Sequence, residues 1–250
     1  MLNDFLSLTT KVAGCLVLTF VVSCRTNPES NAVLKLKKVR AELKFSENNN
    51  VTFVKLAGKH ITDEDLRAVG ELKEIKELIM SHNTQVGDEG LANLVALRKL
   101  EVVIIYGSRI TDIGCKYIGK MKNLRLLRLI DTTIDDEGMA HIVDLPKLKI
   151  LSIRNANITD NGVVYLGKMS QLTSLDLSGS QISNSAIARL TDMTNLESLG
   201  LNNTKVSSSA LLQLSSLTKL RDLGVIGLNL TNQELDELKH GLPNTCIIDK

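Results

Sequence analysis

Eight positions along the chain carry acidic or small polar residues at a spacing of 24 or 25 residues, and these are the first candidates for chemistry. They are Asp63, Asp88, Asp112, Asp136, Asp160, Asn184, Ser208 and Asn232. Carboxylates stacked about 5 Å apart would suit Ca²⁺, which prefers oxygen ligands. The change from Asp to Ser and Asn weakens a calcium site but suits helix N-capping, because all three types accept bonds from free N–H groups at a helix start. We therefore predict helix caps, with a calcium ladder as the alternative.

The histidines and cysteines form no catalytic or metal-binding motif in the sequence. The four histidines fall at different points of the spacing: His60, His82, His141 and His240. No nucleophile elbow, Cys–His motif or glycine-rich phosphate loop is present. Cys115 and Cys246 lie five repeats apart, about 25 Å at the spacing of neighbouring strands, whereas a disulfide needs Cα atoms within about 7 Å. We expect no catalytic activity, no cofactor, no metal and no bond between these two cysteines.

The composition argues against a nucleic-acid partner. The 30 basic and 28 acidic residues leave a net charge of +2, so the overall field does not attract a polyanion. The chain has no Trp, and aromatic residues make up 3% of it. Single-stranded nucleic acid is usually held by aromatic side chains that stack on bases. We therefore expect a partner of another class.

The candidate residues belong to a repeat of about 24 residues that fills most of the chain. In each copy, apolar residues first alternate, as in a strand, and then recur with the spacing of one helix face. The inner strand column is Leu56, Met80, Ile105, Leu129, Ile153, Leu177, Leu201 and Val225. A single copy buries too little apolar surface to offset the entropy of ordering its backbone, so the copies must stack to fold.

The pattern LxxLxLxx(T/S)x(I/V)(T/S)D resembles the leucine-rich repeat family, and most of all the 24-residue bacterial type with ITDxGL. The segments ITDIG at 110–114 and VGDEGL at 86–91 carry the resemblance, which extends from Val51 to Asp249. It implies an α/β fold, a leucine-rich repeat solenoid. That fold is a right-handed β-α superhelix with parallel strands on the concave face and helices on the convex face. The resemblance also implies a role in binding other macromolecules.

The N-terminal segment predicts export and a membrane anchor. Residues 12–22 form an apolar run of about half a bilayer span, which is typical of a secretory signal. The run ends in Val21-Val22-Ser23-Cys24, which resembles the lipobox of bacterial lipoproteins, in which the cysteine is acylated. The resemblance implies lipidation of Cys24 and a place in the bacterial cell envelope, at the outer membrane or the periplasmic face. A signal cleaved without lipid and an uncleaved anchor are the alternatives.

These features divide the chain into five parts. Residues 1–23 form a signal peptide, and residues 24–31 form a polar tether. Residues 32–50 form an N-terminal cap, a helix followed by one arm of a hairpin that turns at the Asn-rich segment 46–50. About eight leucine-rich repeats occupy residues 51–241, and residues 242–250 form a C-terminal cap that covers the open edge of the sheet.

The outward strand positions are the candidate binding surface, because the fold does not require them to be apolar. In the first five repeats, the predicted site joins aliphatic and aromatic residues to two arginines: Phe53, Ile79, Val102, Ile104, Tyr106, Leu126, Arg128, Ile130 and Arg154. An exposed apolar patch with Tyr and Arg is typical of an interface, although strand propensity alone also favours Val and Ile there. We predict a protein or peptide ligand on this surface.

Two other functions and one local feature stay open. The later repeats present small polar groups from Ser174 to Asn202, which would suit a glycan or cell-wall ligand, but aromatic platforms for sugars are scarce there. The chain could also be a purely structural lipoprotein of the envelope. One extra residue in the segment SHNTQ at 81–85 predicts a bulge, from which His82 and Asn83 could reach a ligand.

Overall fold

The chain forms a continuous solenoid in which each repeat adds one strand and one helix. The structure is a computed structural model and describes residues 28–249. Within these residues, ten strands form a single sheet whose order follows the chain. β1 pairs antiparallel with β2, and every later pair is parallel. The predicted α/β solenoid is confirmed.

The strands are longest in the N-terminal half of the sheet. They are β1 (Glu42–Phe45), β2 (Val51–Ala57), β3 (Glu77–Ser81), β4 (Val102–Tyr106), β5 (Leu126–Ile130), β6 (Ile150–Ser152), β7 (Ser174–Asp176), β8 (Ser198–Gly200), β9 (Asp222–Gly224) and β10 (Cys246–Ile248). The helices are α1 (Pro28–Lys38), α2 (Asp63–Gly70), α3 (Asp88–Ala92), α4 (Asp112–Ile118), α5 (Asp136–Ile142), α6 (Asp160–Leu166), α7 (Asn184–Leu190), α8 (Ser208–Leu211) and α9 (Asn232–Gly241). A 3₁₀ helix, Leu212–Ser216, continues α8. Among residues 28–249, no helix has the length and apolar character that a membrane crossing requires.

The core lies between the sheet and the helices and runs without interruption along the stack. Leu56, Met80, Ile105 and Leu129 stand in register on four neighbouring strands. All four side chains are fully buried, as are Ile153 and Leu177 in the following repeats. Each of these side chains has apolar neighbours above and below it only because the adjacent repeats are present, which is the physical basis of stacking.

A residue with left-handed backbone conformation follows each of the strands β2 to β9, directly after β2 to β5 and three residues after β6 to β9. The sequence analysis missed this feature. The column consists of Gly58, His82, Gly107, Asp131, Asn155, Gly179, Asn203 and Gly227, with φ between +54° and +108°. These residues turn the chain away from the strand, yet their N–H groups continue the ladder. The N–H of Asp131, for example, donates to the carbonyl of Arg154 at 3.1 Å. Glycine, Asn and Asp adopt this conformation at low cost, which explains the residue types in the column.

The ends of the solenoid are closed by added elements. Helix α1 begins at Pro28, four residues before the predicted helix, so residues 28–31 do not belong to a tether. Its Ala32 and Leu36 are fully buried against the first repeat, while the hairpin of β1 and β2 extends the sheet. At the other end, α9 stops at Gly241 and β10 adds the last parallel strand beside β9.

Candidate functional site

The acidic column joins neighbouring repeats, so the prediction that its members cap their own helices is wrong. In repeats three to five, the cap is the residue just before the column. The side chains of Thr111, Asp135 and Thr159 each accept a bond from the backbone N–H two positions further on. The column carboxylates accept bonds from the next repeat instead. Asp136 accepts from the N–H of Thr159 at 2.8 Å and from its hydroxyl at 2.5 Å.

This arrangement engages at least one oxygen of each carboxylate in the column, and both oxygens of Asp88, Asp136 and Asp160. The bond to the backbone N–H of the next repeat recurs at 2.7–3.0 Å in the other acidic members of the column: Asp63, Asp88, Asp112 and Asp160. Asn184 keeps the bond through its amide oxygen, at 2.8 Å from the N–H of Ser207. Residues 28–249 contain no group of three or more His, Cys, Asp or Glu side chains placed to hold a metal ion. The column therefore acts as an inter-repeat staple.

Of the predicted binding residues, Phe53 is not available at the surface. Its side chain points outward from β2 but is only 8% exposed. The antiparallel strand β1 places Lys44 directly opposite Phe53, and the Lys44 ammonium lies 4.5 Å from the centre of the ring. The prediction that Phe53 belongs to the exposed patch is wrong because the Lys44 side chain lies over its ring, although Lys55 and Ala57 further along the same face stay exposed.

Seven of the other predicted residues, together with Ile150, form a contiguous surface in three rows, which we call the apolar frame. One row pairs Ile79, Ile104 and Arg128 across β3 to β5, and a second pairs Val102, Leu126 and Ile150 across β4 to β6. The third pairs Tyr106 with Ile130. All of these side chains are half-buried. Arg128 therefore lies at the edge of the frame in its row, between Ile104 and Ser152.

A shallow concavity of about 570 Å³ begins at this frame and continues over the polar repeats. At one end it is lined by Tyr106, Arg128 and Ile130, and at the other by Asp222 and Ile248. Arg154 also lines it, whereas Ile79, Val102, Ile104 and Leu126 lie beyond its edge. The concavity is thus displaced toward the C-terminal repeats relative to the predicted patch, and the two overlap at Tyr106, Arg128, Ile130 and Arg154.

The polar half of the concavity is held together by internal hydrogen bonds around Asp176. Its carboxylate accepts from the Ser178 hydroxyl at 2.6 Å and the Ser178 N–H at 3.1 Å. The Ser152 hydroxyl donates to it at 3.4 Å, and Arg154 Nε lies 3.6 Å from it. At the rim, the Asn155 amide donates to Asp131 at 2.7 Å. Sequence reasoning missed both groups, because it treated Asp176 and Ser178 only as small polar positions and did not consider Asp131 or Asn155.

The two arginines of the predicted site therefore differ in their surroundings. Arg154 is exposed and paired with Asp176. Arg128 is half-buried, and its guanidinium forms no ion pair, hydrogen bond or ring contact with any residue of 28–249. Every other Lys, Arg and His in that part of the chain is exposed. Arg128 is thus the one Lys, Arg or His of residues 28–249 whose side chain is half-buried, and its charged group has no partner there.

The predicted bulge at 81–85 contributes a buried hydrogen bond between neighbouring repeats. Asn83 is fully buried, and its amide donates to the carbonyl of Gly58 at 2.9 Å. The suggestion that Asn83 reaches a ligand is therefore wrong. His82 is exposed and occupies the left-handed turn position with φ +56°.

The cysteines of the described residues lie in different environments. Cys115 is buried in α4, and Cys246 is exposed in the edge strand β10. Burial raises the pKa of the Cys115 thiol, and the nearby carboxylates of Asp112 and Asp88 raise it further. A thiol with a raised pKa is a poor nucleophile, since the thiolate is the reactive form. Cys24, the predicted lipidation site, lies outside the described residues.

Comparisons with known proteins agree with this architecture. A family model described as "Leucine Rich repeat" matches residues 75–95 and 144–167. The structure is similar to the crystal structure of an internalin (inlF) from Listeria monocytogenes, with a TM-score of 0.50 and 22% sequence identity. The match covers 78% of this chain and 66% of that one. No curated protein matches the chain in sequence. The fold is a leucine-rich repeat solenoid.

Proposed function

We propose that the chain binds a protein or peptide partner through the concave face, at the junction of the apolar frame and the concavity. The observation that carries this proposal is the frame itself. The aliphatic and aromatic side chains of the frame stay half-buried on the concave face of the sheet. The hydrophobic core lies on the opposite face, between the sheet and the helices. Contiguous apolar surface of this kind is usually covered by a partner, and Tyr and Arg are frequent anchors of such contacts.

A glycan ligand is less well supported by the side chains of the polar half. The carboxylate of Asp176 and the amide oxygen of Asn202 are already engaged, the latter by the N–H of Ile226 at 2.8 Å. Residues 174–202 contain no aromatic side chain on which a sugar ring could stack. Tyr106 is the one aromatic residue among those that line the concavity. Groups that are satisfied internally offer little net gain to a polar ligand.

Site-specific photo-crosslinking in the cells that produce the chain tests this proposal. A photoreactive phenylalanine at Ile104 samples the apolar frame, and the same residue at Ile113 serves as the control. Ile113 is 60% exposed on helix α4, on the opposite side of the sheet. We expect discrete crosslinked protein bands from position 104 that are absent from position 113. Equal crosslinking at both positions, or none at 104, would contradict the assignment of the binding face.

The proposal includes a membrane anchor at Cys24 and a place in the bacterial cell envelope. It is supported by the apolar run and the sequence Val21-Val22-Ser23-Cys24. Acylation of a lipoprotein cysteine supplies more than one chain, which meets the requirement for stable anchoring. Metabolic labelling with an alkyne fatty acid should mark the wild-type chain but not the Cys24→Ser variant. Label retained in that variant would refute lipidation at this residue.

A further inference from the structure

The position of Arg128 specifies the chemistry of the partner more narrowly than a general interface does. A guanidinium without a partner in its own chain is available to a carboxylate of a ligand, and a bidentate pair of this kind is among the strong hydrogen bonds. No residue of 28–249 supplies such a group to Arg128. The acids that line the concavity nearby are already engaged, Asp176 by Arg154 and Asp131 by Asn155.

The surroundings of Arg128 favour a single carboxylate over a more highly charged group. On one side stands Ile104 and on the other Ser152, each in register on the neighbouring strand. Asp176 stands in the same row one strand beyond Ser152, about 10 Å from β5 at the usual strand spacing. A second negative charge on the ligand would face this carboxylate without a second free arginine to balance it. A guanidinium and one carboxylate form a matched bidentate pair.

The side chains next to Arg128 on its own strand set the spacing of the ligand. Leu126 and Ile130 flank Arg128 at intervals of two residues, and both are half-buried. Alternate side chains of an extended chain recur at the same interval, about 6.6 Å. An extended peptide could place an acidic residue at Arg128 and apolar residues, two positions before and two positions after it, at Leu126 and Ile130.

We infer that the concave face recognises an extended protein segment of the pattern apolar-x-Asp/Glu-x-apolar, with the acidic side chain paired to Arg128. This inference deepens the proposed function and rests on it. It assigns Arg128 as the residue that selects charge and the apolar frame as the surface that supplies contact area. Arg154 has a different role, since its charge is already balanced by Asp176.

Selection from a phage-displayed library of random peptides tests the inference with the full-length chain immobilised in detergent. The wild-type chain should enrich peptides with Asp or Glu between two apolar residues at the stated spacing. Arg128→Gln should bind a synthetic peptide of the enriched sequence at least about tenfold more weakly, because bonds to a charged group are the strong ones. Arg189→Gln is the control and should bind the peptide as the wild type does, because this exposed arginine lies in the last turn of helix α7, away from the concave face.

Charge reversal provides an internal check that folding alone cannot imitate. The variant Arg128→Glu should enrich Lys or Arg at the central position, and its far-UV circular dichroism should equal that of the wild type. Enrichment of neutral apolar peptides by wild type and Arg128→Gln alike would overturn this inference and leave the proposed function standing. Retention of polygalacturonate, with no peptide enriched by the wild type, would overturn both.

Discussion

The inter-repeat staple of the acidic column leads to a quantitative prediction for Asp136. This side chain is the first residue of α5, and it accepts both the backbone N–H and the hydroxyl of Thr159 in the next repeat. The variant Asp136→Ala removes the acceptor and leaves the N–H of Thr159 without its partner. The neighbouring Asp135 offers a matched control, because it caps only its own helix, through the N–H of Glu137 at 2.9 Å.

The expected loss for Asp136→Ala follows from the two bonds. A hydrogen bond to a charged group contributes about 1.5–3 kcal/mol. Since Asp136 is half-buried, water replaces part of each bond in the variant, and we expect a loss of about 2–4 kcal/mol in the free energy of unfolding. The side chain of Asp135 makes one capping bond, and its loss in Asp135→Ala should cost about 1 kcal/mol.

Urea unfolding followed by circular dichroism at 222 nm measures both losses. Asp136→Asn should fall between the wild type and the alanine variant, because an amide oxygen accepts the backbone bond in the same way as that of Asn184 does in its own repeat. A double-mutant cycle of Asp136→Ala with Thr159→Val should give a coupling energy of about 1 kcal/mol or more, as expected for groups in direct contact.

Two results would refute the inter-repeat role of Asp136. The first is a loss in the free energy of unfolding for Asp136→Ala no larger than that for Asp135→Ala. This result would mean that the column carboxylate contributes no more than a helix cap. The second is a coupling energy to Thr159 near zero, which would mean that the two residues contribute independently. Either result would contradict the idea that these carboxylates hold neighbouring repeats together.

Further expected outcomes concern the core, the turns, the C-terminal helix and the cysteines. Leu177→Ala removes a fully buried side chain in the middle of the stack and should cost about 2–5 kcal/mol by urea unfolding. Gly179→Ala forces an alanine to φ +74° and should cost about 1–3 kcal/mol by the same assay. Hydrogen bonds from Ser208 and Thr231 lower the pKa of Glu234. The ionised side chain therefore contributes to stability at neutral pH, and this contribution is lost as the pH falls through the lowered pKa. The difference in stability between wild type and Glu234→Gln should therefore shrink in acid. In the native chain a thiol reagent should modify exposed Cys246 rapidly and buried Cys115 only after unfolding, measured by mass spectrometry.

The repeat period of the sequence was sufficient to predict the core, because the apolar side chains that recur with that period must be buried to avoid water. Leu129, Ile153 and Leu177 recur at one position of each repeat, and all three are fully buried. An apolar side chain at that position can contact either water or the adjacent repeat, and contact with the repeat is favoured because it removes apolar surface from water. The apolar pattern therefore predicts the buried positions. The left-handed column from Gly58 to Gly227 was equally legible in principle, since Gly, Asn and Asp dominate it.

The acidic column shows why a correct residue type led to a wrong partner. Asp, Asn and Ser at a helix start are compatible with capping the same helix or with accepting a bond from the next repeat. The two roles differ by one residue in register, and the sequence does not contain the distance between a carboxylate and the following repeat. The short bond between Asp160 and the Ser183 hydroxyl, 2.5 Å, depends on the way in which the repeats stack.

The exposure of the candidate site could not be predicted for a similar reason. The sequence placed Phe53 and Val102 at equivalent outward positions, but Lys44 of the added strand β1 lies over the ring of Phe53, whereas Val102 stays half-buried. Likewise, Arg128 and Arg154 look alike in the sequence, and only the structure pairs Arg154 with Asp176. Partners contributed by other strands decide these differences, and they depend on register and side-chain direction.

The hydrogen bonds within the concave face indicate where a ligand can bind without first breaking existing bonds. In the polar repeats, a ligand would have to displace bonds that already exist, such as those of Asp176 with Ser178 and of Asn202 with Ile226. Over the apolar frame, a ligand displaces only water from half-buried side chains, which is favourable. At Arg128 it also supplies the acceptors that the chain does not provide. The boundary between the two regions is therefore the position at which contact area and charge selection coincide, and a partner bound elsewhere on this face would gain only one of them.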